Sequence, residues 1–413
     1  MKYDVIIIGG GAAGMMSAVR CASGGLKTAV IEKNKIFGRK LRITGKGRCN
    51  VTNACDNETL LSNIISGKKF LMSSFSRFSP WDTMDFFEEM GVPLKTERGN
   101  RVFPVSDDAD DIADVLFQKM KSLGVELIHL KCTGIIVSDG KAIGVETESG
   151  KFFADNIICA TGGVSYPKTG STGDGFTFAK KLGHSVTPLR PCLSALETKE
   201  RKQCADMMGV SLKNVTLKLY RGNKCLYEEL GEMLFSHFGI TGPLVLSASC
   251  YIDDPKNDDY YVKIDLKPAL SEEKLDARIL REFAVSPNRI ISNIMHSLLP
   301  SKMIDTVLKI SKIDGDTPAN SVTKVQRAAL IDTMKNMTFH ISSFRPVDEA
   351  IVTAGGIELK EITPKTMESK FVKNLYFIGE MIDAHGFTGG FNLQIAFSTA
   401  VAAADGIKQK YGV

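Results

Sequence analysis

The first 32 residues constrain this chain more than any other stretch. Tyr3-Asp4-Val5-Ile6-Ile7-Ile8 is a short β-branched apolar run, long enough for one buried strand and too short for a helix. Gly9, Gly11 and Gly14 follow as G-x-G-x-x-G where that strand must turn, and Ala12, Ala13, Met15, Met16, Ala18 and Val19 then give a small apolar helical face. Gly24-Gly25 ends the helix, Lys27 to Ile31 reads as a second strand, and Glu32 closes it 18 residues after Gly14. In such a βαβ unit Gly9 permits the tight turn, Gly11 lets the backbone approach a pyrophosphate, and Gly14 lets the helix pack closely on the sheet. The helix start at Ala12 and Ala13 offers unpaired N–H groups and the positive end of its dipole to phosphates. Glu32 can accept a hydrogen bond from a ribose 2′-OH and repels a 2′-phosphate, so the unit favours FAD or NAD over NADP. The glycines alone would also fit an ordinary glycine-rich turn; strand, helix, second strand and acid together weigh against it.

Length and composition set outer bounds. At 413 residues the chain points to two or three domains, and 43% hydrophobic with 24% charged residues is a soluble globular composition. A net charge of +5 is mild over this length, and no lysine or arginine block of the kind that marks a nucleic-acid arm is present. The chain goes straight into a strand without a basic n-region or a membrane-length apolar run, which reads as cytoplasmic with no membrane partner. The nine cysteines are scattered with no C-x-x-C pair, so reduced thiols are expected, and no metal site.

The segment from Gly38 to Asn53, G-R-K-L-R-I-T-G-K-G-R-C-N-V-T-N, has five basic residues, three glycines and no apolar periodicity. It reads as a loop whose backbone approaches something anionic or flat, the plainer alternative being a solvated basic loop. With the βαβ start, this motif resembles the bacterial flavoproteins known as aminoacetone oxidase-like or BaiN-like NAD(P)/FAD-dependent oxidoreductases, and more distantly the fumarate reductase and succinate dehydrogenase flavoproteins. The resemblance implies non-covalent FAD, with Glu32 on the adenosine ribose and Lys33, Arg39, Lys40, Thr44, Gly45, Gly47, Arg48, Cys49, Asn50 and Asn53 along the dinucleotide.

Further motifs recur in family order, so the likeness runs essentially end to end. Residues 56 to 123 show helical spacing, interrupted by a hairpin-like excursion from Gly91 to Pro104 in which Arg98 and Arg101 can face a ligand. A small β meander covers residues 125 to 146, and in the resembling proteins the backbone near Cys132 meets the adenine. An apolar strand then runs into Ala160-Thr161-Gly162-Gly163, which resembles the second flavoprotein signature. The following Thr169-Gly170-Ser171-Thr172-Gly173-Asp174-Gly175 lacks the G-K-[ST] ending of a Walker A and matches the fumarate reductase relatives.

Pro188 and Pro191 mark a change of composition. The fold expected is α/β, a Rossmann-type, glutathione reductase-like FAD domain from residues 1–190 and 341–413. Into it are inserted a β-barrel-like domain, 191–270 and 312–340, and a helical subdomain, 271–311. The inserted part carries His237 in a family hallmark, read either as a turn residue or as a group on the substrate side. Near the end, Gly379-Glu380 stands where many flavoproteins have G-D; a ribityl hydroxyl is the expected partner of Glu380, with Asp383 as substitute. Gly390, Asn392 and Leu393 open the last helix, whose first N–H groups would face the flavin and stabilise negative charge developing there.

The cofactor carries the hydride chemistry, so the protein need only place a substrate carbon near flavin N5 and supply a proton donor or acceptor. Tyr166, Arg98, His237 and His385 are the candidate acids or anchors. The resemblance offers C=C reduction of a steroid-like enone, with NAD(P)H as transient donor and a small molecule as substrate, or oxidation of small amines. A tRNA-modifying or RNA-binding flavoprotein is the rival from another class, and the lack of basic clusters leads to the expectation of no nucleic-acid partner. Oligomeric state and physiological substrate stay open.

Overall fold

A computed structural model of the protein describes residues 2–257 and 259–413. The chain forms two compact units, Met1–Pro191 with Val347–Val413, and Cys192–Pro346.

The first unit is built on the strand Lys2–Ile8, which lies parallel between Thr28–Ile31 and Gly150–Cys159. Glu126–Ile128 extends the sheet on one side, and Leu375–Phe377 joins in parallel beside the end of Gly150–Cys159. Val5, Ile6 and Ile7 are fully buried, as a parallel strand covered on both faces requires. The meander Cys132–Ser138, Lys141–Thr147 completes the sheet in antiparallel register. Helix Ala12–Ser23 packs against Ala109–Ser122 and against the last helix, Phe391–Tyr411. That 21-residue helix is apolar on most of its circumference and therefore sits inside the unit. The expected hairpin is present as Leu94–Glu97 with Arg101–Pro104, and Thr52–Asn53 adds a third short strand.

One expectation needs correction here. The stretch from Gly38 to Asn53 is not simply a loop: Arg39–Ile43 is a short helix, followed by a 3-10 turn at Thr44–Lys46. Gly38 enters it at φ +69, and Leu41 is its one buried anchor, so there is no repeated apolar position for periodicity to reveal.

The second unit is a closed antiparallel barrel of six strands, in the order Leu196–Thr198, Gly239–Thr241, Lys224–Ser236, Ser211–Arg221, Tyr260–Asp265 and Met337–Phe344. Tyr260, Val262 and Ile264 point inward while Tyr261, Lys263 and Asp265 are half-buried, the period of two expected of a strand with one dry face. Helices Glu272–Val285, Ser301–Ile310 and Lys324–Lys335 cover it. The last of these lies beyond residues 271–311, where the helical pattern is read in sequence. Its start is nonetheless written locally, since Thr323 and Gln326 form a capping box. Among the described residues no helix is long and apolar enough to cross a membrane.

Candidate cofactor site

The glycine turn shows which positions the fold fills and which it leaves open. Gly9 has φ +104, and a Cβ there would stand 2.6 Å from the Ala160 carbonyl oxygen. A Cβ on Gly14 would lie 1.9 Å from the oxygen of Gly9, so the first turn of the helix packs directly on the strand end. At Gly11 no atom stands within 4 Å of an added Cβ, and no side chain caps the helix that starts at Ala12. Open space beside uncapped N–H groups is what a pyrophosphate needs.

Glu32 follows its strand directly. Its carboxylate accepts from the Gly10 N–H at 2.7 Å and from the backbone and side-chain N–H groups of Asn34 at 2.8 and 2.7 Å. Three donors on about four acceptor positions fix the carboxylate and leave room for a hydroxyl. Arg39 reaches this cluster through Asn34 Oδ1 at 2.9 Å, whereas Lys33 turns to Thr172 and Asp174, each at 2.6 Å.

In the basic segment the charges are largely occupied by the protein itself. Arg48 pairs with Glu97 and Asp107 and lies over the Phe103 ring at 4.2 Å. Thr44 donates to the Leu41 carbonyl, and Gly45 and Gly47 take φ +58 and +83 to turn the chain. Cys49 is fully buried, and burial pushes its thiol up to about 12; Cys132, opening a meander strand, is pushed up to about 11 for the same reason. Neither sulfur is a nucleophile at neutral pH. Asn53 donates to the carbonyls of Gly99 and Gly389 at 3.0 Å each, tying this segment to the end of the chain. The Asn50 Oδ1 atom is buried with no partner among the described residues.

The terminal segment closes on the same place. Gly379 has φ +68, and a Cβ on it would meet Ala13 Cβ at 2.9 Å. Glu380 Oε2 accepts from Lys40 Nζ at 2.7 Å, and Oε1 accepts from the Ser165 hydroxyl at 3.1 Å and the Thr353 N–H at 2.8 Å. Asp383 accepts from the Thr187 hydroxyl at 3.0 Å. Thr161 donates to Met381 Sδ at 3.3 Å, beside Gly162 at φ +75. Gly390 caps the last helix at φ +98 with no side-chain hydrogen bond, pressed so close to Thr52 that a Cβ would approach its carbonyl carbon to 2.3 Å. Asn392 holds the preceding turn by donating to the Gly386 and Phe387 carbonyls at 3.0 and 3.2 Å and accepting from the Gly386 N–H at 2.9 Å; Leu393 packs half-buried on the core. No side chain caps the start of this helix.

The four candidate acids or anchors stand in different surroundings. Tyr166 is half-buried at φ +51, with Lys40 Nζ 5.9 Å from its ring centre, and His385 is buried a few residues before Gly390. Arg98 is exposed in the hairpin turn, where its carbonyl accepts from Arg101. His237 is exposed in the second unit, edge-on to Phe238. Ser165, Thr353 and Asn34, which hold Glu380 and Glu32 in place, escape a reading by motif because single hydroxyls and amides carry no periodic signal.

An uncapped helix start at each end, an open Gly11, a fixed Glu32 and the orphaned Asn50 oxygen fit an extended dinucleotide. The family model described as HI0933-like protein Rossmann domain matches residues 3–406. The chain belongs to this family. It is an FAD-dependent oxidoreductase, and the resemblance carried by the glycine turn and the basic segment stands. The chain is 32% identical over 410 residues to a ribosomal RNA dihydrouridine synthase of Haemophilus influenzae, covering 98% of each chain. It is 29% identical over 407 residues to a 3-dehydro-bile acid delta(4,6)-reductase of Clostridium scindens, covering 96% of this chain and 97% of the relative. A ribosomal RNA dihydrouridine synthase of Escherichia coli is 28% identical over 98% of the chain and 97% of the relative. Among solved structures, the 3-ketosteroid delta1-dehydrogenase of Sterolibacterium denitrificans superposes with a TM-score of 0.55 over 99% of this chain and all of that one. At 11% identity that likeness speaks for the fold alone.

Proposed function

We propose that this protein saturates a carbon–carbon double bond conjugated to a carbonyl, with a uridine of ribosomal RNA as substrate and NAD(P)H as reductant. The observation that supports it is the chemistry shared by the names of the full-length relatives. A delta(4,6)-reductase of a 3-dehydro bile acid adds hydrogen across double bonds conjugated to a ketone. Dihydrouridine is uridine with its 5,6 double bond, conjugated to the C4 carbonyl, saturated. One cofactor site therefore serves both, and RNA is favoured because two of these relatives, including the one at 32% identity, are named for it. The earlier expectation of no nucleic-acid partner finds no support beside them. None of the three is named for amine oxidation.

FAD, when bound, supplies two-electron hydride chemistry at N5. The chain's own residues would hold it: Gly11 and the helix start at Ala12 would admit phosphates, Glu32 would take a ribose hydroxyl, and the uncapped start of the last helix would face developing negative charge. With no second G-x-G-x-x-G, either NAD(P)H binds without a Rossmann domain of its own or the electrons come from elsewhere.

The test is anaerobic incubation of FAD-loaded protein with NADPH or NADH and an unmodified ribosomal RNA transcript, followed by nucleoside mass spectrometry. Dihydrouridine at a discrete position is expected. Saturation of a 3-oxo-4-ene steroid with no change in RNA would move the substrate to the side of the Clostridium relative; inertness toward both would sink the reductase reading.

A further inference from the structure

The side chain of His385 is buried in the first unit with both of its ring nitrogens unbonded. Only 4% of the residue is exposed, and among the described residues neither Nδ1 nor Nε2 has a hydrogen-bond partner. A buried imidazole with both nitrogens unpaired is costly, and native folds leave such groups where something else completes them. The backbone around it is not loose. His385 bridges to Ser66 in antiparallel register, and Asn392 grips the next two residues through both its amide oxygen and its amide nitrogen. The chain thus fixes the backbone that carries the ring, while no described residue bonds its two nitrogens. The ring stands on the segment that leads into Gly389-Gly390 and the uncapped start of the last helix, one end of the cofactor site.

The electrostatics specify what kind of partner fits. Burial, and secondarily the positive charge of Arg190, pull the imidazole down to about 4, so it is neutral at physiological pH and carries one N–H donor. A neutral donor near a guanidinium favours an oxygen that gains negative charge, and disfavours a cation. Conjugate reduction creates such an oxygen. When hydride from the reduced flavin forms a C–H bond at the β carbon, the π pair shifts through the α carbon onto the carbonyl oxygen as an enolate. A proton from water then adds at the α carbon and restores the carbonyl. No proton needs to leave the imidazole.

We propose that His385 donates a hydrogen bond from its ring N–H to the substrate carbonyl oxygen and stabilises the enolate formed there, a role that rests on the reductase reading above.

The test uses the full-length, FAD-loaded protein with His385→Leu, which removes the donor at similar volume, and His385→Gln, which restores an N–H. His385→Leu is expected to keep its FAD and to lose about 100-fold in kcat/KM for saturation, with His385→Gln recovering to within about tenfold of wild type. A second readout needs no turnover. 4-Nitrophenol, whose phenolate imitates the enolate oxygen, is titrated by its absorbance onto the oxidised protein; a loss of about tenfold or more in affinity is expected in His385→Leu, with recovery in His385→Gln. Thermal melting of the apoprotein separates a ligand-facing group from a structural one, because removing an unpaired buried imidazole leaves Tm unchanged or higher, whereas removing a structural one lowers it. Unchanged kcat/KM or unchanged 4-nitrophenol affinity in His385→Leu would overturn the proposal, as would a lowered apoprotein Tm. Should His385→Leu fail to hold FAD, His385→Gln against wild type decides with the same two readouts. A wild-type protein that saturates no conjugated double bond defeats the reductase reading itself, whatever the variants do; an active wild type with indifferent variants defeats only the role of His385.

Discussion

Two histidines of the first unit are equally hidden and quite differently treated. His184 and His385 are each 4% exposed. His184 is enclosed: Nδ1 meets Glu361 Oε2 at 3.0 Å, Nε2 meets the Ser369 hydroxyl at 2.8 Å, and the ring stacks on Phe371 at 4.9 Å with Phe377 edge-on. His385 has no partner at either nitrogen among the described residues. Where an imidazole has a structural task, this fold brings an acceptor and a hydroxyl to it from distant parts of the chain. Equal burial with opposite satisfaction therefore separates a packing residue from one poised for something outside the chain.

The largest expected effect that sharpens this contrast is on the acid stability of the apoprotein. His385 has its folded-state pKa lowered from 6.5 to about 4, chiefly by burial. A depressed folded value means that the unfolded chain takes up the proton first. Stability is therefore complete above about pH 6.5 and is lost as pH falls toward 4. At about 1.4 kcal/mol per pH unit the loss approaches 3 kcal/mol. His184 is also lowered by burial, against the opposing pull of Glu361, and adds loss in the same direction. Urea unfolding of the apoprotein between pH 7 and 4 should thus show a steep decline in wild type that is shallower by about 3 kcal/mol in His385→Leu. Parallel curves would contradict the neutral, buried imidazole.

Most of the scaffold around these two residues is legible in the sequence, and neither residue's environment is. The strand Lys2–Ile8 and its glycine turn are written in contiguous residues, because a parallel strand buried on both faces must be uniformly apolar and a Gly14 packed on Gly9 admits no side chain. The barrel strand Tyr260–Asp265 is legible through its alternation. The ends of the site are legible only as types of residue. Glu380 reads as a cofactor ligand, but that its carboxylate takes Lys40, Ser165 and Thr353 depends on chain segments up to 340 residues apart. His184 has partners 177 and 185 residues away, and no local pattern distinguishes it from His385. Pairwise satisfaction of buried polar groups is a long-range property, and one sequence holds no record of it.

The next effect down is the reverse experiment. His184→Leu strands the Glu361 carboxylate and the Ser369 hydroxyl next to an apolar side chain. Ser185 and the backbone at residues 371 and 372 continue to bond them in part. We expect a loss of about 2 kcal/mol in apoprotein stability at pH 7, with FAD affinity unchanged once the protein is folded. His385→Leu should show no such loss under identical conditions. If the two leucine variants lose equally, the distinction between the histidines has no energetic content.

The smallest expected effect extends the contrast from nitrogens to glycines. Gly14 and Gly11 belong to one motif, yet the fold fills the first and leaves the second open: a Cβ at Gly14 would collide with the Gly9 oxygen at 1.9 Å, while a Cβ at Gly11 meets nothing within 4 Å. Gly11 also sits at φ −83, ψ −170, extended backbone that alanine adopts without strain. Gly11→Ala should therefore change apoprotein stability by no more than about 0.5 kcal/mol, since the substitution falls on a site with no packing or strain to disturb. The same methyl group stands in the space assigned to the pyrophosphate, so retention of FAD through gel filtration should drop sharply while the melting curve of the apoprotein does not move. A variant that retains FAD as wild type does would show that the open face of Gly11 is not where the phosphates lie, and one that melts early would show that the space beside it belongs to the fold after all.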